Sequence, residues 1–172
     1  MAPTREEAVI TLREGRARLD ELLDRLSEAE LTAPATIGGG EWSAKDLMGH
    51  LGAWEAFALD ALQQWRKGER PAIEDTFADP GRVDELNATV FERERHRSWR
   101  EVQGDAAEAH RALLDEIERM DDDEWMAKAS YPTDKRRRLC ELLGSVLGAP
   151  KRPFGHAFAH LPDVEAYVTT VR

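Results

Sequence analysis

A single cysteine, Cys140, occurs in the 172 residues, which excludes an internal disulfide and a multi-cysteine zinc site. It lies between KRRRL and ELLGSVL, an amphipathic setting where a lone cysteine acts as a small hydrophobe. No apolar run approaches the roughly 18 residues of a membrane span, so no membrane partner is expected. The opening stretch MAPTREEAVITLREGR lacks the successive basic, apolar and small-residue zones of a signal peptide, and the protein is read as cytoplasmic. Basic charge is scarce: 24 Lys and Arg face 34 Asp and Glu, a net charge of −10. Phosphate backbones need a basic surface, so nucleic acid is not expected as the main partner. The one basic cluster, DKRRR at 134–138, reads as solvated charge, with a local anion site as the alternative. There is no serine elbow, phosphate-binding glycine loop, paired-carboxylate motif, alternating strand pattern or fixed-period repeat.

What is present is helical periodicity. The length and the 41% hydrophobic, 34% charged composition fit a single soluble domain, 1–172. Val9, Leu12, Leu19, Leu22, Leu23 and Leu26 recur at three- and four-residue intervals, an apolar stripe on a helix from about Thr4 to Leu26. Pro34 and the glycines 38–40 then place a loop. In EWSAKDL, Ser43 and Asp46 form a capping box, with Trp42 and Leu47 placed as a hydrophobic staple. That helix is predicted to run to about Lys67, burying Leu47, His50, Leu51, Trp54, Ala58, Ala61 and Leu62. A loop is expected over 67–81, a short helix over Val83 to Glu94, and a third long helix from a Ser98/Glu101 box to about Met120. DDDEW and SYPTDK read as turns, and Leu139 to Leu147 as a short helix closed by Gly148. The last helix is expected from Pro153 towards Val171. Four long helices with short accessory ones make an all-α bundle.

Three of the five histidines fall on inward faces. His156 and His160, at i and i+4, share one face of the last helix about one 5.4 Å turn apart. His50 lies mid-stripe on another helix. Two imidazoles on one helix and a third opposite can grip a divalent ion and leave a position open. Hydrogen-bonded core histidines would give the same pattern, and both readings stand on spacing alone. At the first turn, the positive end of the helix dipole disfavours imidazolium at His156 and keeps it in the neutral form a metal needs. Pro162 withholds an amide from the Phe158 carbonyl and is placed to bend the helix beside His160. His96 and His110 lie in charged surroundings and read as ordinary. Trp54 and Asn87 are candidate pocket residues, with core packing and a helix contact as their plainer roles. Glu55 is expected to point away from His50.

The segments EWSAKDLMGHLGAWEAF, VDELNATVFERER and FGHAFAHLPDVEAYV resemble the DinB-like superfamily, particularly its DfsB-type branch. The resemblance spans about residues 4 to 171. It implies an up-down-down-up four-helix bundle, often dimeric, with a divalent metal on three histidines, which here are His50, His156 and His160. The superfamily includes thiol S-transferases and isomerases that use bacillithiol, mycothiol or glutathione. A neighbouring branch resembles the cyclopropane hydrolase that protects producers of the genotoxin colibactin and does not rely on this histidine set. All three histidines here favour the metal-binding branch. The segment ELLGSVLGAPKRP departs from the usual pattern, so the substrate does not carry over.

The leading expectation is a metal-dependent enzyme acting on small electrophiles, of thiol S-transferase or hydrolase type. Zn²⁺ or Ni²⁺ would bind a low-molecular-weight thiol or water and lower its pKa. A non-catalytic protein that sequesters a small molecule, as in self-resistance, is the alternative. A metal-free bundle is the third reading. A small-molecule substrate and a homodimer complete the expected partners.

Overall fold

Helix starts are set by side-chain caps. Thr4, Ser27, Ser43 and Ser98 each accept from the amide three residues on, and Glu7, Glu30, Asp46 and Glu101 reach back to the cap amide. Each such cap contributes about 1 kcal/mol. The computed structural model describes residues 3–133 and 137–172. Of the basic cluster read at 134–138, residues 134–136 lie outside the described residues. Arg137 is not merely solvated: its guanidinium reaches Glu74 Oε1 at 3.2 Å and Ser145 Oγ at 2.6 Å.

Four long helices carry the bundle: α1 (Arg5–Leu23), α3 (Ala44–Arg66), α6 (Trp99–Arg119) and α9 (His156–Thr170). Shorter ones join them: α2 (Glu28–Thr32), α4 (Ile73–Phe77), α5 (Pro80–Glu94), α7 (Asp122–Trp125) and α8 (Leu139–Val146). No β-strand occurs among the described residues, only the isolated bridges Lys128–Arg138 and Ala149–Arg152. The sequence pattern misses α2, α4 and α7, each no longer than five residues. Such pieces are too short to show a helical period and form because their ends are capped or packed. Ser27 caps α2, for example, and Leu31 fixes it to the core.

Side-chain pairs fix the helix directions. Arg5 reaches the Met120 carbonyl and Arg13 pairs with Glu118 at 2.8 Å, so α1 and α6 are antiparallel. Gly49 abuts Val102, Gly52 abuts Ala106 and Glu55 meets His110, so α3 and α6 are parallel. Gly15 abuts Ala157, and further along Leu22 lines a common cleft with Glu165 and Val168, so α1 and α9 run together. The order is up, down, down, up. A methyl at Gly52 would stand 2.8 Å from Ala106 Cα, so the α3–α6 approach depends on glycine there.

The last helix begins at His156, not at Pro153. Phe154 is buried with φ +59°, a left-handed conformation that interrupts the helix before Gly155. The His156 amide donates to the Leu147 carbonyl at 3.0 Å, which pins the start of α9 against the end of α8. The helix then continues through Pro162 to Thr170. Two apolar clusters fill the bundle. Leu47 and Leu51 of α3 belong to one, Trp54 and Ala58 to the other, and His50 lies between them in sequence.

Candidate metal centre

Antiparallel α3 and α9 bring the three histidines together. His50 is 5% exposed, and His156 and His160 are half-buried. The Nε2 atoms of His50 and His156 stand 2.9 Å apart. The His160 ring centroid is 5.3 Å from that of His50 and 5.2 Å from that of His156. One ring nitrogen from each residue lies within 4.8 Å of the others. Two imidazole nitrogens bound to one ion at about 2.1 Å sit roughly 3.0–3.4 Å apart. The donor set and spacing fit a zinc- or nickel-like ion with little movement. A hydrogen shared between His50 and His156 is the other use of the 2.9 Å contact. It leaves His50 Nδ1, which is buried, without a hydrogen-bond partner among the described residues.

The electrostatics suit a ligand set. Burial pushes His50 down to about 2, reinforced by the neighbouring His156 and His160, with Asn87 working against them. Burial, then His160, pushes His156 down to about 3. His160 is lowered by burial and partly restored by Asp163. Low values keep the rings neutral near pH 7, the form that donates a lone pair to a metal. Cys140, by contrast, is fully buried and its thiol is raised by burial, which leaves it inert.

Aromatic rings enclose the triad. Trp42 lies 4.8 Å from His50, centroid to centroid, and Trp54 lies 6.2 Å from His50 and 5.9 Å from His156. Phe77 stacks on the outer side of Trp54 at 5.8 Å. His160 opens onto a cleft of about 560 Å³, lined also by Trp42, Asn87, Phe91 and Asp163. Of the two pocket residues expected from sequence, Asn87 lines this cleft. Trp54 is buried behind it, and its indole N–H donates to Asn87 Oδ1 at 3.0 Å. That bond engages the amide oxygen and leaves the Asn87 NH₂ group for other partners.

Trp42 and Phe91 carry no helix-periodic signal that marks them as pocket walls. Trp42 comes from the loop before α3, whose backbone folds over itself through Ala35 N–Glu41 O and Ile37 N–Trp42 O bonds. Gly38 (φ +67°) and Gly39 (φ +70°) make the left-handed turn between them. The glycine run was thus a signal for the cleft's rim as well as for a helix break. His110, read as ordinary in charged surroundings, places its Nδ1 2.6 Å from Glu55 Oε1.

The sequence pattern of the DinB superfamily matches residues 11–161. The chain belongs to the DinB superfamily. No curated protein matches it significantly. Among solved structures, an uncharacterised protein from Escherichia coli UTI89 superposes with a TM-score of 0.76 at 14% identity, covering 97% of this chain and 94% of that one. The colibactin self-resistance protein ClbS, solved in complex with double-stranded DNA, gives a TM-score of 0.72 at 16% identity, covering 96% of this chain and 98% of ClbS. A Streptococcus pneumoniae protein gives 0.77 at 11% identity, covering 100% of this chain and 94% of that one. These likenesses establish a DinB-like helical fold. No helix among the described residues is long and apolar enough to cross a membrane.

Proposed function

We propose that this DinB superfamily protein holds a divalent ion on His50, His156 and His160 and binds a small molecule in the adjoining cleft, as a sequestering, self-protective protein does. The observation that carries the reading is three neutral imidazoles converging beside a cleft that one of them, His160, helps to line. The sequence alone favoured turnover of electrophiles over sequestration. The likeness to ClbS, a self-resistance protein, supports placing the self-resistance reading first. Turnover stays as the second reading, because three protein ligands leave a coordination position free. When bound, such an ion lowers the pKa of a coordinated thiol or water.

The walls bear on the ligand's charge. Glu41, Asp84 and Asp163 line the cleft, and among the described residues no Lys or Arg does. Carboxylates around a partly enclosed site disfavour anions and favour neutral or cationic molecules. With the net charge of −10, this supports a small-molecule ligand rather than a nucleic-acid backbone. ClbS itself was solved with double-stranded DNA.

Two small thiols of opposite charge test the proposal. Cysteamine should bind the zinc-loaded protein roughly tenfold more tightly than mercaptoacetate, read from tryptophan fluorescence, given one or two nearby carboxylates at intermediate dielectric. His160→Ala should abolish both signals, and Asp163→Asn should narrow the preference. Equal binding, or tighter binding of the anion, would refute the charge argument. Consumption of many equivalents of 1-chloro-2,4-dinitrobenzene with cysteamine, lost in His160→Ala, would put catalysis ahead of sequestration.

A further inference from the structure

Behind the triad, on the side of α1 and α6, lies a second group of polar residues. Arg16 of α1 and Glu55 of α3 are 7% and 9% exposed. Arg16 Nη1 stands 3.6 Å from Glu55 Oε2. Neither atom has a hydrogen-bond partner among the described residues. Their companions are satisfied: Arg16 Nε bonds Asp20 Oδ1 at 3.1 Å, and Glu55 Oε1 meets His110 Nδ1 at 2.6 Å. A buried ion pair set too far apart for a hydrogen bond is a poor stabiliser, because both charges lose hydration. Leaving two buried polar atoms unpaired costs more still.

Both residues line a small, largely enclosed cavity of about 20 Å³, and His156 lines it too. That volume accommodates one water molecule, which needs two to four polar partners. Arg16 Nη1 and Glu55 Oε2 supply two. His156 turns Nε2 towards His50, so Nδ1 is the ring nitrogen left to take a second partner. Metal-ligating histidines characteristically donate their second N–H to a carboxylate, a carbonyl or water, which fixes the tautomer and raises the basicity of the coordinating nitrogen.

We infer that Glu55 is a positioning residue for the metal centre: one buried water joins its Oε2 to Nδ1–H of His156, with Arg16 and His110 holding the carboxylate in place. The water accepts from His156 and donates to Glu55, while the guanidinium N–H donates to the water. His156 is thereby held with its hydrogen on Nδ1 and the Nε2 lone pair towards the ion. His110 ties the same carboxylate to α6 and lies on the rim of a surface cleft with Arg13 and Asp115. The inference deepens the metal reading and rests on it for its purpose, but not for its geometry.

The test compares wild type, Glu55→Gln and a control, Glu74→Gln. Glu74 is also a buried carboxylate with arginine partners, Arg70 and Arg137, and it does not belong to the triad or the cavity. Zn²⁺ affinity should fall about 10- to 100-fold in Glu55→Gln and stay within a few-fold of wild type in Glu74→Gln. In metal-free protein, the ¹⁵N shifts of the His156 ring should report the Nδ1–H tautomer in wild type and a mixture in Glu55→Gln. Unchanged affinity together with unchanged ring shifts in Glu55→Gln would overturn the inference. Equal losses in both variants would also overturn it, since any buried carboxylate would then serve. If wild type takes up no Zn²⁺, the metal reading falls, and the ring shifts alone decide whether Glu55 positions His156.

Discussion

Zinc added to metal-free protein at a hundredfold excess over its dissociation constant should raise Tm by roughly 5–10 °C, and His50→Ala should show no such rise. A ligand that binds only the folded state at that excess adds about 2.7 kcal/mol. For a chain of this size each kcal/mol moves Tm by about 2–4 °C. His50 is the informative substitution because it is the one ligand on α3, while His156 and His160 share α9. Losing it leaves two imidazoles on one helix face and no partner opposite. Its removal also eliminates the orphaned Nδ1, so the fold itself should tolerate the change. Differential scanning fluorimetry with and without Zn²⁺ checks this. Equal shifts in wild type and variant would place the ion elsewhere.

The metal-free protein should be markedly acid-labile. His50 and His156 sit near 2 and 3 when folded, against about 6.5 in an unfolded chain. Depressed folded values mean that the unfolded state binds more protons below 6.5. Stability is therefore complete above that pH and falls as pH drops towards 3. Each histidine contributes about 1.4 kcal/mol per pH unit across that window. Together they cost about 5 kcal/mol between pH 6.5 and 4.5, a large share of a domain's usual 5–15 kcal/mol. Urea midpoints across this range measure the slope, and His50→Leu should roughly halve it. A flat profile between pH 6.5 and 4.5 would contradict the neutral, buried state of these rings.

The parts legible in the sequence were those with short-range causes. The Ser43/Asp46 and Ser98/Glu101 boxes mark the starts of α3 and α6, and both are formed. The stripe of Leu47, Leu51, Ala58 and Leu62 is buried as its spacing requires. The His156–His160 interval put two rings on one face, and the apolar setting of His50 supplied the third. Other features depend on contacts that spacing does not encode. Phe154 adopts its left-handed backbone because its ring is buried against Trp125, stacked at 5.7 Å, and this moves the start of α9. Trp42 reaches His50 through a loop closure. Glu55 and His110 are 55 positions apart and meet because Gly49 and Gly52 allow α3 and α6 to approach closely. Neither residue of that pair is marked in the sequence, since His110 reads as ordinary and Glu55 is expected only to point away from His50.

Metal content of protein purified without an affinity tag is the most direct test of the three-histidine centre. About one equivalent of Zn²⁺ or Ni²⁺ per chain is expected in wild type, and none in His50→Ala or His160→Ala. Wild-type protein that holds no metal, even after either ion is added back, would contradict the account. The histidines would then be core or ligand-pocket groups in a metal-free bundle.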